Sequence, residues 1–273
     1  MKFTIFGANG FIGSYLQAYL QGVSIDCYCP GRDESFLSER DLGHVIYCIG
    51  MTADFRNQPF KTVDAHVANL STVLASSKCY DSFLYLSSTR VYTGAEATDE
   101  LTELRVKPTD PDYLYNISKI MGESLCLALQ NPKIRVARLS NVIGRDLDSP
   151  NFLPSILREA IRTKEIKLQT TLDSTKDYIG IEDTVQALVS IALNGTQQIY
   201  NVANGINVSN QEVVNLIKKE TDCSVHVVPN AIRTTFPPIS VQRLNHELGC
   251  TPRPITALIS DLVNAYQREA TKQ

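Results

Sequence analysis

The 273-residue chain has no Cys-x-x-Cys pair and no cluster of histidines among its seven cysteines and four histidines, so zinc and disulfide readings are poor and no metal site is expected. Cys27, Cys29, Cys48, Cys79, Cys126, Cys223 and Cys250 are scattered, mostly in strand-like or helix-like apolar runs. They read as buried small hydrophobes. No apolar stretch approaches the length of a membrane span, and a strand-like run starting at Lys2 leaves no room for a charged leader with a cleavable apolar segment. No membrane partner and a cytoplasmic location are therefore expected. A net charge of −3 and a pI near 5.8 lack the basic footprint of a nucleic-acid binder, so no such partner is expected either. There is no internal repeat or low-complexity tract. With 43% hydrophobic residues, the chain can bury an ordinary globular core.

The first positive signal is at the start. Lys2 to Phe6 is a short apolar strand pattern, followed by Gly7-Ala8-Asn9-Gly10-Phe11-Ile12-Gly13 and an amphipathic stretch to Leu20. Strand, glycine turn and helix in that order can cradle a pyrophosphate. Glycines allow the tight turn and close backbone approach, and the helix N-terminus supplies N–H donors and a positive dipole end. The spacing is G-x-x-G-x-x-G rather than G-x-G-x-x-G. Gly7, Asn9, Gly10, Phe11, Ile12 and Gly13 are the candidate cofactor-binding residues, and a plain glycine turn is the competing account.

Tyr115 and Lys119 stand four residues apart in a helix-like segment, which puts a phenol and an ammonium on one helix face. A nearby cation favours the phenolate, so the pair could move a proton near neutral pH. Taken alone, Tyr-x-x-x-Lys is a common surface pattern. A third signal is the apolar strand Phe83 to Leu86, which ends in Ser87, Ser88 and Thr89. In an open parallel sheet the ligand crevice lies beyond the carboxyl ends of the strands, where these hydroxyls would fall. Simple strand-end capping remains an alternative, more so for Ser87 and Thr89 than for Ser88.

Together these motifs resemble the extended short-chain dehydrogenase/reductase family, in particular its nucleotide-sugar epimerase, dehydratase and reductase branch. Gly7, Gly10 and Gly13 match its glycine turn. Ser88, three residues before Val91-Tyr92, matches its catalytic Ser or Thr, and Tyr115 and Lys119 match its catalytic pair. Arg138 to Gly144 is similar to the segment that passes under the nicotinamide, and Lys176 to Asp183 is similar to its Arg-Asp-Phe-Ile-Tyr-Val-x-Asp stretch. Tyr200-Asn201-Val202 resembles a late strand. The resemblance implies an α/β fold: a Rossmann-type doubly wound parallel sheet with a small C-terminal α/β substrate lobe. It implies Ser88, Tyr115 and Lys119 as catalytic residues, with Tyr115 and Lys119 also touching cofactor and Gly50 permitting close cofactor approach. Ser88, Thr89, Asn141, Arg233 and Arg243 are then candidates for binding a nucleoside-diphosphate sugar. The competing account for Asn141 is a structural turn, and for each arginine a solvated surface site.

Strands are expected near 2–6, 24–29, 44–49, 82–87 and 133–139, with helices near 11–21, 60–79 and 113–130. Beyond Gly144 the pattern predicts helices near 152–163, 209–220 and 255–269, an amphipathic helix starting at Asp183 as N-cap, and strands near 166–168, 177–180 and 198–202. The cofactor domain is drawn as 1–150 and the substrate lobe as 151–273, with part of 177–203 returning to the first sheet. Only about a dozen residues separate Arg32 from the strand at Val45, where the family fits a further helix and strand. A smaller sheet is expected. Asp177 reads as structural.

Cofactor choice turns on the second strand's end, Cys29-Pro30-Gly31-Arg32-Asp33, where the first charged side chain is an arginine. That favours NADP over NAD through a 2′-phosphate, while Asp33 or Glu34 could still reach a ribose. The family's 4,6-dehydratases place Asp-Glu after the catalytic Thr; this chain has Thr89 and Arg90, which argues against that reaction. A short lobe suits a reductase that releases cofactor each cycle, so reduction of a 4-keto nucleotide sugar is favoured. A 4-epimerase with tightly held NAD, a reductase of a non-sugar carbonyl and a non-catalytic dinucleotide sensor are the alternatives. A homodimer is allowed.

Overall fold

The computed structural model describes residues 1–31, 40–51, 54–146 and 148–270, the side chain of Ala270 excepted. Arg32, the proposed 2′-phosphate ligand, lies outside the described residues, as do Asp33 and Glu34. The chain folds as two compact units, one of residues 1–140, 184–202 and 240–250 and the other of 141–183, 203–239 and 251–273. Against the boundary drawn at 150, the first unit's long segment stops at Ser140, and 184–202 and 240–250 join it.

Among the described residues, the first unit is built on six parallel strands: β1 (Lys2–Phe6), β2 (Asp26–Tyr28), β3 (His44–Tyr47), β4 (Ser82–Ser88), β5 (Ile134–Leu139) and, late in the chain, β9 (Ile199–Val202). Their order is β2-β1-β3-β4-β5-β9. Ile5 pairs with Ile46, Ile46 with Leu84, and Leu84 with Arg135, so the inner strands are covered on both faces and read as continuous rather than alternating apolar runs. Phe3, Ile5, Val45, Ile46, Phe83 and Leu84 are all fully buried. β2 is shorter than the expected 24–29 because Ser24 adopts a positive φ of 58° that breaks the extended run.

Two helices position the site. α1 (Phe11–Gly22) buries Gly13, Leu16 and Leu20, a three-and-four spacing that lays one face on the sheet. The expected helix at 60–79 is instead three pieces: α2 (Pro59–Val63), a π-helical turn (Asp64–Ala68) and α3 (Asn69–Ser76). The wide turn carries the fully buried His66. α4 (Leu114–Ala128) follows a short 3-10 turn in which Asp110 caps the Asp112 N–H and Pro111 occupies the first position.

A buried polar network holds α4 to the sheet. Arg138 of β5 forks onto Glu123 of α4, with Nη2–Oε2 at 2.6 Å and Nε–Oε1 at 3.0 Å, and both side chains are 4% exposed. Ser87 of β4 donates to the same carboxylate. Arg138 also donates to the Tyr92 hydroxyl, which donates to Asn201 of β9, whose amide reaches Thr98 O and Ser240 O. One network therefore ties three strands, a helix, a 3-10 turn and two loop segments.

The second unit contains β6 (Asn141–Ile143), β8 (Thr175–Gly180) and β10 (Asn207–Ser209) in the order β10-β8-β6, and a parallel pair of β7 (Glu165–Thr170) with β11 (Ser224–Ile232). Helices α5 (Phe152–Arg162), α7 (Asn210–Thr221) and α9 (Ile255–Ala270) share its core through Leu157, Ile217, Ile259 and Val263. Ser209 and Glu212 form a reciprocal capping box on α7. Strands β6, β10 and β11 and helix α8 (Gln242–Leu248) were not expected from sequence. In β11, Pro229 and the positive φ of Asn230 disguise a nine-residue strand with a register shift.

Helix α6 (Ile181–Asn194) begins two residues before the expected N-cap, so Asp183 sits inside the first turn. There its carboxylate accepts from Arg253 N and Nε, an arrangement set by the distant 253 segment rather than by local capping. Asp177 accepts the backbone N–H groups of Asn204 and Gly205. The seven cysteines are free thiols, but only Cys126 and Cys223 are buried; Cys79 is exposed and the others are half-buried, so the reading of buried hydrophobes holds for two of them.

The Glu123–Arg138 pair yields a stability test. Glu123→Ala leaves a guanidinium buried without its counter-charge and is expected to cost about 3–5 kcal/mol in urea unfolding, whereas the double replacement Glu123→Met/Arg138→Met should recover most of the loss.

Candidate active site

The parallel strands deliver three of the sequence-predicted elements to one edge of the first unit's sheet. β1 leads into the glycine turn, β3 into Gly50, and β4 ends at Ser88. At the turn, Gly7 has φ of +85° and accepts the Gly10 N–H at 3.0 Å. A Cβ on Gly13 would sit 2.2 Å from Gly7 O, so only glycine lets α1 approach the turn this closely. Gly10 caps α1 without a side-chain hydrogen bond, and the first turn carries no acid. Orphan N–H groups of Phe11, Ile12 and Gly13 at an uncapped helix start, with the exposed Asn9 and Gly10 before them, fit a dinucleotide pyrophosphate.

Ser88 is half-buried, and its hydroxyl caps the 3-10 turn Thr89–Tyr92 by accepting the Arg90 N–H at 3.3 Å. Thr89 beside it is buried. Tyr115 and Lys119 lie on the inward face of α4, only 5% and 4% exposed. Burial raises the Tyr115 hydroxyl above the usual tyrosine range, opposed by the nearby Ser88 hydroxyl and by the charge of Arg90. Burial pulls Lys119 down to about 7, opposed by Glu123 and Cys48. Its Nζ donates to Leu86 O at 2.8 Å and lies 5.2 Å from the Tyr85 ring centroid. A Cβ built on Gly50 would meet that Nζ at 3.5 Å. Ser88, Tyr115, Lys119 and Gly50 thus belong to one cluster, able to offer a hydroxyl donor, a phenolic proton and a cation to a carbonyl.

Sequence reasoning missed three members. His66 points from the π-helical turn into the cluster, accepting the Met51 N–H on Nε2 at 3.1 Å and contacting Ser118 Oγ through Nδ1 at 2.8 Å. Burial, then the charge of Lys119, lowers its pKa to about 2, so the ring is neutral and Nδ1 is the donor. Phe55 and Arg90 also face the Tyr115 ring. No spacing in the sequence marks these residues, because 55, 66 and 90 reach Tyr115 from separate elements.

The other predicted substrate residues have partners of their own. Arg243, in the first unit on α8, donates to Ile199 O at 2.6 Å and lies 3.7 Å from Glu100. In the second unit, the Asn141 amide donates to Asp177 O at 2.7 Å, and exposed Arg233 pairs with Asp173 at 2.7 Å. These contacts engage the groups that sequence reading assigned to a sugar diphosphate. Among the described residues, no helix is long and apolar enough to cross a membrane.

A model of the NAD dependent epimerase/dehydratase family matches residues 3–203. The chain is 29% identical over 255 residues to a GDP-6-deoxy-D-mannose reductase of Pseudomonas aeruginosa, covering 83% of this chain and 82% of that protein. Among solved structures it is similar to RMD from Pseudomonas aeruginosa complexed with NADPH, with a TM-score of 0.81, 22% identity and coverage of 98% and 100%. It is also similar to TunA, an NAD dependent NDP-hexosamine 5,6-dehydratase involved in tunicamycin biosynthesis, with a TM-score of 0.82, 20% identity and 98% coverage of each chain.

Proposed function

The chain belongs to the NAD dependent epimerase/dehydratase family of nucleotide-sugar-modifying enzymes, and from that premise we propose that it is an NAD(P)-dependent reductase of a 4-keto nucleotide sugar. The observation that carries the reading is the cluster itself, in which the Ser88 hydroxyl at the end of β4 lies close enough to the buried Tyr115 hydroxyl of α4 to lower its pKa, with Lys119 and Gly50 beside them. When bound, the nicotinamide would supply hydride. Ser88 holds and polarises the substrate oxygen, Tyr115 gives it a proton, and Lys119 holds the cofactor ribose. A carbonyl oxygen gaining negative charge needs donors already in place, and this pair is fixed by β4 and α4 before any ligand arrives.

The reductase is favoured over the 4-epimerase by the resemblance to the GDP-6-deoxy-D-mannose reductase over four fifths of both chains. NADP is favoured over NAD through Arg32, whose guanidinium suits a 2′-phosphate. Asn141, Arg233 and Arg243 would have to exchange present partners to hold a diphosphate. The assay is stoichiometric: purified protein with NADPH and 4-keto-6-deoxy nucleotide sugars should consume one NADPH per alcohol formed. Epimerisation of UDP-hexoses without added cofactor, and no NADPH consumption on any keto sugar, would reverse the ranking.

Two substitutions test the roles. Tyr115→Phe deletes only the proton-transferring oxygen and should abolish turnover while leaving the unfolding midpoint close to wild type; Lys119→Met should also weaken cofactor binding. A Tyr115→Phe protein that keeps most of its activity ends the mechanism. Arg32→Ala should weaken NADP by roughly 1.5–3 kcal/mol and leave NAD nearly unchanged in calorimetric titration. Equal losses for both cofactors would remove the argument for NADP.

A further inference from the structure

The Tyr115 ring is boxed by three side chains of its own unit. The Phe55 ring lies 5.4 Å away and tilted, and the His66 ring stands edge-on at 5.3 Å. The third is Arg90, whose Cζ is 5.1 Å from the Tyr115 ring centroid and 5.2 Å from that of Phe55. Among the described residues, no carboxylate forms an ion pair with Arg90. Asp112, whose charge reaches it, is paired with Arg56 at 2.5 Å. Arg90 therefore presents its charge to aromatic faces.

Lys119 is engaged elsewhere. Its ammonium donates to Leu86 O, lies over Tyr85 and faces Gly50. A guanidinium on the face of a phenol is attracted to the ring and favours the phenolate over the neutral form. We propose that Arg90, stacked on the Tyr115 ring, is a positioning residue that supplies the cation for proton transfer at the Tyr115 hydroxyl, a part that helical spacing alone gives to Lys119. The proposal rests on the reading of Tyr115 as the proton donor. In carbonyl reduction, hydride from the dihydronicotinamide adds to the carbonyl carbon, and the oxygen takes up the electron pair. The Tyr115 O–H bond then breaks, the proton joins that oxygen, and the phenolate left behind faces Arg90 until solvent reprotonates it.

The other groups around Tyr115 do not supply that charge. His66 is neutral, held so by burial and Lys119. Burial keeps the Tyr85 hydroxyl well above the usual tyrosine range, so it too is neutral. Ser88 contributes a neutral hydroxyl, Arg56 is tied to Asp112, and Glu123 is tied to Arg138. Burial works against ionisation of Tyr115, and of the two cations nearby it is Arg90 whose charge opposes it.

The test reads Tyr115 directly, without substrate or turnover. Tyrosine labelled with carbon-13 at Cζ is followed by NMR through a pH titration of the full chain, with Tyr115→Phe assigning the signal and circular dichroism confirming each fold. The Tyr115 midpoint should rise by about 1–3 units in Arg90→Met and Arg90→Gln, stay close to wild type in Arg90→Lys, and move by less than about one unit in Lys119→Met. An unchanged midpoint in the neutral variants overturns the proposal. So does a rise in Lys119→Met greater than one unit, which decides the matter even where the neutral variants do not fold. A wild-type phenol that stays protonated up to loss of the fold overturns it as well. Failure of the reductase reading is seen separately, in the activity of Tyr115→Phe.

Discussion

The ion pair between Glu123 and Arg138 fixes the rotation of α4 on the sheet, and the candidate active site depends on that rotation. Tyr115, Lys119 and Glu123 follow one another at intervals of four, so they form a single helix stripe. Pinning Glu123 to β5 and Ser87 turns that whole stripe inward. Two charges taken out of water this completely are tolerated because both carboxylate oxygens and all three guanidinium nitrogens have partners. A hydrophobic pair would hold the helix as well, but with less restriction on the azimuth at which Tyr115 meets Ser88.

Burial then sets the electrostatics. It lifts the phenol of Tyr115, lowers Lys119 to about 7 and drives His66 to about 2, so each of these groups is pushed towards neutrality. Lys119 is protonated below its midpoint and loses its charge as pH rises through it, which makes it a weak resident cation at neutral pH until an anionic ligand raises it again. Arginine cannot deprotonate in this range, and Arg90 is the guanidinium on the phenol face. The same stretch, Ser88-Thr89-Arg90, provides both the hydroxyl and the cation, because the 3-10 turn capped by Ser88 swings residue 90 back over α4.

The sequence by itself determined what depends on local chain geometry. Gly7, Gly10 and Gly13 announce a strand–turn–helix, Gly7 through its positive φ and Gly13 because a Cβ there would lie 2.2 Å from Gly7 O, and the i, i+4 spacing of Tyr115 and Lys119 needs only a helix to put them on one face. The alternation of strands and helices up to Leu139 was legible for the same reason. Tertiary structure decided what long-range contacts control. It broke the 60–79 helix with a π-helical turn around His66, started α6 before Asp183, whose carboxylate Arg253 takes up, and made a strand of 224–232 by pairing it with β7. It tied Arg243 to β9 and Arg233 to Asp173, and it brought Phe55, His66 and Arg90 onto Tyr115. Those residues are 25 to 60 positions from Tyr115 in the chain, and periodicity carries no information over such distances. Only the packing of the sheet against α4 makes them neighbours.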